Sequence, residues 1–167
     1  MNVVEYRNKT KINKEYCLGF LVKEDNVLLA IKKRGYGVGK LNGIGGKLEP
    51  SERSEDAMIR ETFEEISVKV TELENKGNIV FYNPNDAKSA GSVDLFLIHR
   101  WEGTPKESEE MKPKWFHRNA IPFHEMWSDD KYWLKRVLSG ESIKAEFLLD
   151  DRKNEVIDYI IRTKRDI

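Results

Sequence analysis

The sequence predicts a single domain of the α/β or α+β class, spanning residues 1–167. The chain of 167 residues has the length of one ordinary domain. Hydrophobic residues make up 39% of it and aromatic residues 10%, which is enough to build a core. Strand-sized apolar runs are mixed with two helical patterns, with no repeat, low-complexity tract or linker between them. Such a mixture along one uninterrupted chain is typical of these fold classes.

The first predicted elements are two strands and a glycine-rich loop. Apolar residues at 16–22 and 27–31, joined by a polar turn at 23–26, predict a β-hairpin. Six glycines follow between Gly35 and Gly46. This density of glycine indicates a loop whose backbone takes unusual angles or approaches another group closely.

The remaining chain predicts two helices and several strands. The first helix covers 54–67, and the second covers 129–138, ending at Ser139 and Gly140. A turn-rich connector is predicted at 83–91. The predicted strands are 68–70, 79–82, 93–100, 114–117 and a closing pair at 145–149 and 156–162. Four large side chains are expected in the core: Trp115, Phe123, Met126 and Trp133.

Composition excludes several classes of protein. Lysine and arginine number 29, and aspartate and glutamate also number 29, so no basic excess points to a nucleic-acid polymer as partner. No apolar run approaches the roughly 20 residues that a membrane span needs. The one cysteine, Cys17, cannot form an intramolecular disulfide, and the N-terminus lacks a secretion signal. We therefore expect a soluble, cytoplasmic protein without a membrane partner, and a monomer.

The first helix carries an acidic patch. At about 100° per residue, its apolar residues fall on one side, which predicts the core face. These are Ile59, Thr62, Phe63 and Ile66. Glu61, Glu64 and Glu65 fall on the opposite side as mutual neighbours, an unfavourable arrangement unless a cation offsets it. A hard divalent cation such as Mg²⁺ would do so and would bring a nucleotide or pyrophosphate substrate. The alternative is an ordinary solvated helix face.

The spacing of the loop and the helix resembles the Nudix box of the Nudix hydrolases. Six of its seven specified polar or small positions are filled, by Gly46, Glu52, Arg60, Glu61, Glu64 and Glu65. Two positions depart from the pattern. Thr62 replaces an aliphatic residue, and Ser67 replaces a late glycine. We expect the serine to shift the end of the helix slightly, because serine adopts left-handed backbone angles less readily than glycine.

The resemblance implies a fold and a set of roles. The fold is an α/β/α sandwich with a mixed β-sheet and a loop–helix–loop at the box. Glu61, Glu64 and Glu65 would be catalytic and would bind Mg²⁺, with Mn²⁺ as a possible substitute, and the Gly45 carbonyl would be a further ligand. One of these glutamates, or a carboxylate outside the box, would deprotonate the attacking water. Glu52 and Arg60 would form a structural ion pair, and Gly46 would be structural.

Three further segments resemble the branch of oxidised purine nucleoside triphosphatases. They are residues 32–47, 103–116 and 121–133, and the likeness extends from about Tyr16 to the C-terminus. Glu110 matches a supplementary metal position, although on its own it would be part of a solvated acidic run. The implied substrate-binding residues are Cys17, Lys32, Asn42, Ile44, Gly45, Gly46, Lys47, Trp127, Asp129 and Asp130. Cys17 stands where the branch commonly has threonine.

Elementary chemistry agrees with this assignment. Asn42 offers both a donor and an acceptor to a purine edge, and the Trp127 ring offers a stacking surface. One carboxyl of the pair Asp129 and Asp130 would stay protonated in an apolar pocket, because burial and a like-charged neighbour both oppose ionisation. Exchange of that proton would let one pocket bind 8-oxoguanine and 2-oxoadenine edges. The alternative is that Asp129 caps the following helix and Asp130 lies in its first turn.

The sequence thus predicts Mg²⁺-dependent hydrolysis of oxidised purine nucleoside triphosphates, such as 8-oxo-dGTP and 2-oxo-dATP, to the monophosphate and pyrophosphate. Such a reaction would remove oxidised nucleotides from the nucleotide pool. Two alternatives stay open. The substrate would be a methylated or unmodified purine triphosphate, or the domain would sense nucleotides without turnover.

Overall fold

The computed structural model describes residues 1–150 and 155–164, with the backbone alone at 86–89. In this part of the chain there are three α-helices, a short 3₁₀-helix at Phe123–Glu125 and nine strands. The helices are α1 Val3–Lys9, α2 Ser54–Ile66 and α3 Asp130–Leu138. The strands are β1 Ile12–Lys23, β2 Asn26–Lys32, β3 Leu41–Asn42, β4 Ile44–Lys47, β5 Lys69–Asn83, β6 Asp86–Glu102, β7 Met111–His117, β8 Ile143–Leu149 and β9 Val156–Thr163.

The strands form one mixed sheet in the order β3-β2-β1-β6-β5-β8-β9. Strands β1 and β6 are parallel, as are β5 and β8, and the other pairs are antiparallel. Strand β4 pairs with β1, and β7 pairs with β2. This confirms the predicted α/β class and the mixed sheet.

The two faces of the sheet are covered by different helices. Along β6, Leu95 and Leu97 belong to the apolar cluster that contains Trp133 of α3. The alternate residues Phe96 and Ile98 belong to the cluster that contains Met58 of α2. The period of two in a strand thus sends successive side chains to opposite faces. The result is the α/β/α sandwich, in which α2 and α3 lie on opposite sides of the sheet.

Helix α1 is an element that the sequence did not predict. Asn2 begins it, since the Asn2 side chain accepts a hydrogen bond from the Glu5 N–H at 3.0 Å. Val3 and Tyr6 of α1 are buried in a third apolar cluster against β5 and β8. Seven residues are too few for a clear amphipathic pattern, so this helix depends on its tertiary contacts.

Several predicted boundaries and faces need correction. Residues 68–70 and 79–82 belong to one long strand, β5, and residues from 86 onward in the predicted connector belong to β6. Trp115 is 37% exposed and stacks on Trp101 at 6.0 Å, so it is not a core residue. Trp115 lies on β7, which pairs with β2 off the main strand order of the sheet, and most of β7 is exposed or half-buried. Met126 and Trp133 are buried as predicted, and Phe123 is half-buried.

Helix α2 ends close to the predicted position. Its last residue is Ile66, and Ser67 takes the left-handed conformation at φ 61° that a glycine would adopt readily. The Ser67 N–H donates to the Phe63 carbonyl at 3.0 Å, which closes the last turn. The serine therefore keeps the ordinary helix end and does not displace it. Among the described residues, no helix is long and apolar enough to cross a membrane.

Candidate active site

The buried side of the acidic helix α2 carries Ala57, Met58, Thr62, Glu65 and Ile66. Thr62 is fully buried, and its hydroxyl donates to the Met58 carbonyl at 2.7 Å. Ile59 and Phe63, predicted on the core face, are exposed, and Phe63 keeps 61% of its surface. Glu65, predicted on the solvent face, is only 3% exposed. The prediction of the two faces was therefore wrong for these three residues: Glu65 shares the buried side of α2 with Thr62 and Ile66, and Ile59 and Phe63 lie outside it. Strand β4 packs against this helix.

The glycines at the end of the glycine-rich loop permit a close approach to this helix. Gly45 and Gly46 lie in β4, which is antiparallel to β1. A Cβ atom on Gly46 would lie 2.7 Å from the carboxyl carbon of Glu61. A Cβ atom on Gly45 would lie 1.9 Å from the Cys17 carbonyl oxygen. Neither glycine has a positive φ, so close approach is the reason for both.

Arg60 links three glutamates around the box. Its Nε and Nη2 atoms each donate to Glu52 at 2.9 Å. Its Nη1 atom donates to Glu61 at 2.9 Å and to Glu64 at 3.3 Å. The hydrogen bonds from Arg60 lower the pKa of Glu52 to about 2. The structure therefore contains the brace between loop and helix, and the same guanidinium also orients two of the carboxylates expected to bind metal.

Among the glutamates of the box, Glu65 is the most buried. Burial raises its pKa, and the adjacent Glu61 carboxyl and the charge of Glu110 raise it further. Its Oε2 atom is buried and has no hydrogen-bond partner in the described part of the chain. A buried oxygen without a partner is costly unless a ligand or cation binds it.

Glu110 lies in the connection between β6 and β7. Its Oε1 atom accepts a hydrogen bond from Arg34 at 3.0 Å, and its carbonyl accepts one from the Lys33 N–H at 2.8 Å. The neighbouring Glu107 pairs with the Lys33 ammonium at 2.6 Å. Glu110 is therefore held by the basic residues at the start of the glycine-rich loop, and its charge contributes to the raised pKa of Glu65.

The donor set fits a hard divalent cation. Glu61, Glu64, Glu65 and Glu110 offer carboxylate oxygens, and Gly45 offers a carbonyl, which are the ligands that Mg²⁺ and similar ions prefer. The unpartnered Glu65 oxygen supports this fit. Within residues 1–150 and 155–164, no group of three such side chains already has the geometry of a metal site. In this conformation three of the carboxylates are paired with guanidinium groups, Glu61 and Glu64 with Arg60 and Glu110 with Arg34.

A cavity of about 370 Å³ lies beside the acidic helix, between the glycine-rich loop and the start of α3. Eight of the predicted substrate-binding residues line it: Cys17, Lys32, Asn42, Gly45, Gly46, Trp127, Asp129 and Asp130. The other two predicted residues do not. Ile44 is fully buried in the cluster beneath α2, because its alternation in β4 points it there, and Lys47 lies at the exposed end of that strand.

The floor of this cavity carries two buried carboxyls. Asp129 is 5% exposed and Asp130 is 2% exposed. The Asp129 Oδ2 atom accepts a hydrogen bond from the Trp133 indole N–H at 2.8 Å. The Asp130 Oδ2 atom is buried without a hydrogen-bond partner among the described residues. Burial raises the pKa of both groups, and the Asp129 charge raises that of Asp130 further.

The start of α3 tests the alternative interpretation of the pair, and Asp130 does lie in the first turn of this helix as that alternative predicted. Asp129 stands at the position before the first residue of α3, but its side chain makes no capping hydrogen bond and its backbone is already helical. The capping alternative is therefore wrong for its side chain. Two carboxyls have been placed in the core at a cost in solvation, and one of their oxygens faces no partner that the structure describes.

The remaining walls combine polar and aromatic groups. The Asn42 Oδ1 atom accepts a hydrogen bond from the Gly43 N–H at 2.8 Å, which fixes the orientation of the amide. Burial raises the pKa of the Cys17 thiol to about 11, so it stays neutral. The prediction missed other lining residues: Tyr36, Gly37, Lys40, Ile79, Phe81 and Val93. The strand residues in this set could have been found from their alternation, whereas the loop residues carry no periodic signal.

The fold and the acidic helix together define a class of protein. The NUDIX domain family matches residues 16–137, and the chain belongs to this family. The oxidized purine nucleoside triphosphate hydrolase of Mus musculus is 37% identical over 152 residues, covering 88% of this chain and 93% of the relative. The enzyme of the same name from Danio rerio is 38% identical over 154 residues, covering 92% and 95%.

A solved structure supports the fold independently. The MutT protein from Bacillus halodurans superposes with a TM-score of 0.76 and covers 89% of this chain and 97% of its own. Its sequence identity of 23% is low, so this similarity concerns the fold alone. Nudix hydrolases use a divalent metal ion, which agrees with the oxygen donors around Glu65.

Proposed function

We propose that this protein hydrolyses oxidised purine nucleoside triphosphates, among them 8-oxo-dGTP and 2-oxo-dATP, to the monophosphate and pyrophosphate. The observation that carries the proposal is the pair of buried carboxyls, Asp129 and Asp130, on the floor of a cavity that Asn42 and Trp127 also line. The relatives from Mus musculus and Danio rerio, with identity along nearly the whole chain, support the same substrate class.

The base would bind at the carboxyl pair. A carboxylate only accepts hydrogen bonds, whereas a protonated carboxyl also donates one. Because burial raises the pKa of both groups, and the Asp129 charge raises that of Asp130 further, one carboxyl of the pair would stay protonated when the base binds. The proton would take the position that the base edge requires, so 8-oxoguanine and 2-oxoadenine could both be bound. Asn42 would bind another part of the edge, and Trp127 would stack on the ring.

The phosphates would lie toward α2. Glu61, Glu64, Glu65 and the Gly45 carbonyl would hold Mg²⁺, with Glu110 in support and with Mn²⁺ as a possible substitute. The bound ion would screen phosphate charge and lower the pKa of the attacking water. A carboxylate would accept the proton of that water while its oxygen bonds to phosphorus and the anhydride bond between the α and β phosphates breaks, so that the products are the monophosphate and pyrophosphate. Lys32 lines the same cavity and would neutralise phosphate charge.

We also propose that the enzyme works on free nucleotides as a cytoplasmic monomer. The balance of 29 basic and 29 acidic residues does not favour a nucleic-acid polymer as substrate. The one cysteine, Cys17, is buried, which suits a reducing compartment.

A substrate panel tests the assignment. We expect kcat/KM to be higher for 8-oxo-dGTP and 2-oxo-dATP than for dGTP and dATP, with pyrophosphate released only when Mg²⁺ is present. A preference for dGTP, or for a methylated purine triphosphate, over the oxidised nucleotides would reject the proposed substrate. Binding of nucleotide without any release of pyrophosphate would indicate a sensing domain.

A further inference from the structure

The ring of Trp127 is contacted by a loop to which sequence reasoning assigned no role in base recognition. This loop, residues 33–40, joins β2 to β3. Its two ends are tied together, because the Gly39 N–H donates to the Lys32 carbonyl at 2.8 Å and the Lys32 N–H donates to the Lys40 carbonyl at 3.2 Å. The loop therefore leaves the sheet and returns to the same place, with its middle beside Trp127.

Two residues of the loop pack against the indole, and a third, Lys40, places its Nζ atom 5.1 Å from the centroid of the Trp127 ring. The Tyr36 ring stacks on Trp127, with centroids 5.3 Å apart and planes 22° from parallel, although Tyr36 is 75% exposed. At Gly37, a Cβ atom would lie 2.8 Å from the Trp127 Cζ2 atom. Gly37 thus allows the indole to lie against the loop backbone, while Tyr36 covers part of one face of the ring.

The backbone of Trp127 is held from the other side. The Trp127 carbonyl accepts a hydrogen bond from the Asp130 N–H at 3.2 Å, at the start of α3. Trp127 and Asp130 are therefore three positions apart in the chain and are also linked by this backbone hydrogen bond. The loop contacts fix the remaining freedom, which is the rotation of the side chain about its own bonds.

We propose that Tyr36 and Gly37 are positioning residues for base recognition, which hold the indole of Trp127 in the orientation in which a purine stacks on it. The inference rests on the proposed function, because Trp127 needs a set orientation only if a base stacks on it while Asp129 and Asp130 bind the edge. A purine can make both contacts only when the indole ring and the two carboxyls keep a fixed distance and orientation relative to each other.

Substitution at Tyr36 separates positioning from occlusion. In Tyr36→Ala the indole loses its stacking partner, so KM for 8-oxo-dGTP is expected to rise by roughly 3- to 10-fold. The value of kcat should stay near that of the wild type, because the phosphates bind at α2. Tyr36→Phe keeps the ring and should restore KM. Val38→Ala, an exposed change in the same loop, is the control. A fall in KM for Tyr36→Ala would mean that Tyr36 blocks the site, and would overturn the proposal.

The glycines of the loop provide a matched pair. Gly37 has φ +84° and Gly39 has φ +86°, so alanine strains the backbone similarly at both positions. Only at Gly37 would the new Cβ meet Trp127, since a Cβ on Gly39 finds nothing within 4 Å. We expect Gly37→Ala to raise KM for 8-oxo-dGTP well above the value for Gly39→Ala. Equal effects in the two variants would show that loop strain alone is responsible, and would overturn the proposal.

Fluorescence tests the contact without any substrate. The chain has four tryptophans, so the emission of Trp127 is obtained by subtracting the spectrum of the same variant carrying Trp127→Phe. We expect the emission of Trp127 to shift in Tyr36→Ala and Gly37→Ala but not in Val38→Ala or Gly39→Ala. No shift in the first two variants would overturn the positioning role. If the wild type does not prefer oxidised purines, the proposed function fails, while these spectra still decide whether the loop holds the ring.

Discussion

The indole N–H of Trp133 donates a hydrogen bond to the Asp129 carboxyl at 2.8 Å, inside the core beneath the cavity. Both residues belong to the turn where α3 begins, four positions apart. The bond partly offsets the effect of burial, because it lowers the pKa of Asp129 that burial raises. The two neighbouring carboxyls therefore differ: Asp129 has a permanent protein donor, and Asp130 keeps a buried oxygen for a ligand.

Trp133→Phe should destabilise the fold. Phenylalanine keeps most of the apolar volume but removes the donor, which leaves a buried carboxyl oxygen without its partner. A loss of about 1–3 kcal/mol in the free energy of unfolding is expected. Urea denaturation of this variant, beside Trp115→Phe at an exposed position, measures the difference. An equal effect of both substitutions would show that the hydrogen bond contributes nothing.

Asp130→Asn should stabilise the protein at high pH. The folded-state pKa of Asp130 is raised above its ordinary value, so its contribution to stability is complete below that ordinary value, near 3.8, and is lost as the pH rises through the folded-state value. Asparagine does not titrate. The free energy of unfolding of Asp130→Asn, relative to that of the wild type, should therefore increase from pH 5 to pH 9, by up to about 1.4 kcal/mol for each unit of pKa shift. Thermal unfolding across this range tests it, and a constant difference would contradict it.

Glu52→Gln should weaken the brace between loop and helix in a pH-dependent way. The hydrogen bonds from Arg60 lower the folded-state pKa of Glu52 to about 2. Its contribution is therefore present above the ordinary value of 4.5 and is lost as the pH falls toward 2. The variant should melt below the wild type at pH 7, and the gap should close in acid. Glu55→Gln, in an exposed pair with Arg53, is the control and should show little change at either pH.

Glu65→Gln should separate catalysis from folding. Turnover is expected to fall by orders of magnitude, because a metal-binding carboxylate is lost. Stability should be unchanged or higher, since glutamine has nearly the same shape and removes an acid that is buried without a partner for one oxygen. Pyrophosphate release and the melting temperature are measured together, with Glu64→Gln as the exposed counterpart. Full activity in both variants would contradict the proposed site.

Gly46→Ala should disturb the metal site through Glu61. The new methyl group would lie 2.7 Å from the Glu61 carboxyl carbon, so that carboxylate must move. We expect the Mg²⁺ concentration for half-maximal activity to rise by about tenfold or more, in the range for changes that disturb ligand orientation. Gly91→Ala is the control, because its Cβ would make only ordinary contact with Tyr16 at 3.5 Å. An unchanged requirement for Mg²⁺ in Gly46→Ala would rule out this role of the close approach.

Much of the site could be predicted because it is local in sequence. Glu61, Glu64 and Glu65 are neighbours on any helix, and their distance from Gly46 along the chain is part of a recognisable spacing. Apolar runs of strand length likewise predicted segments that lie in β1, β2 and β5 to β9. Patterns of this kind depend on the geometry of one element at a time, and the sequence alone is sufficient to read them.

The tertiary structure alone decided which of these groups are buried from solvent and which hydrogen-bond partners they have. Helical periodicity assigns Glu65 and Phe63 to opposite faces of α2. It does not show that Glu65 is buried where β4 packs against the helix, or that Phe63 stays exposed. The Tyr36 stack on Trp127 and the link from Arg34 to Glu110 join residues that are far apart in the sequence. Burial and partnership depend on which distant segments meet, and these determine the ionisation of Asp129 and Asp130. The sequence determined the chemical groups of the site, and the fold determined their state.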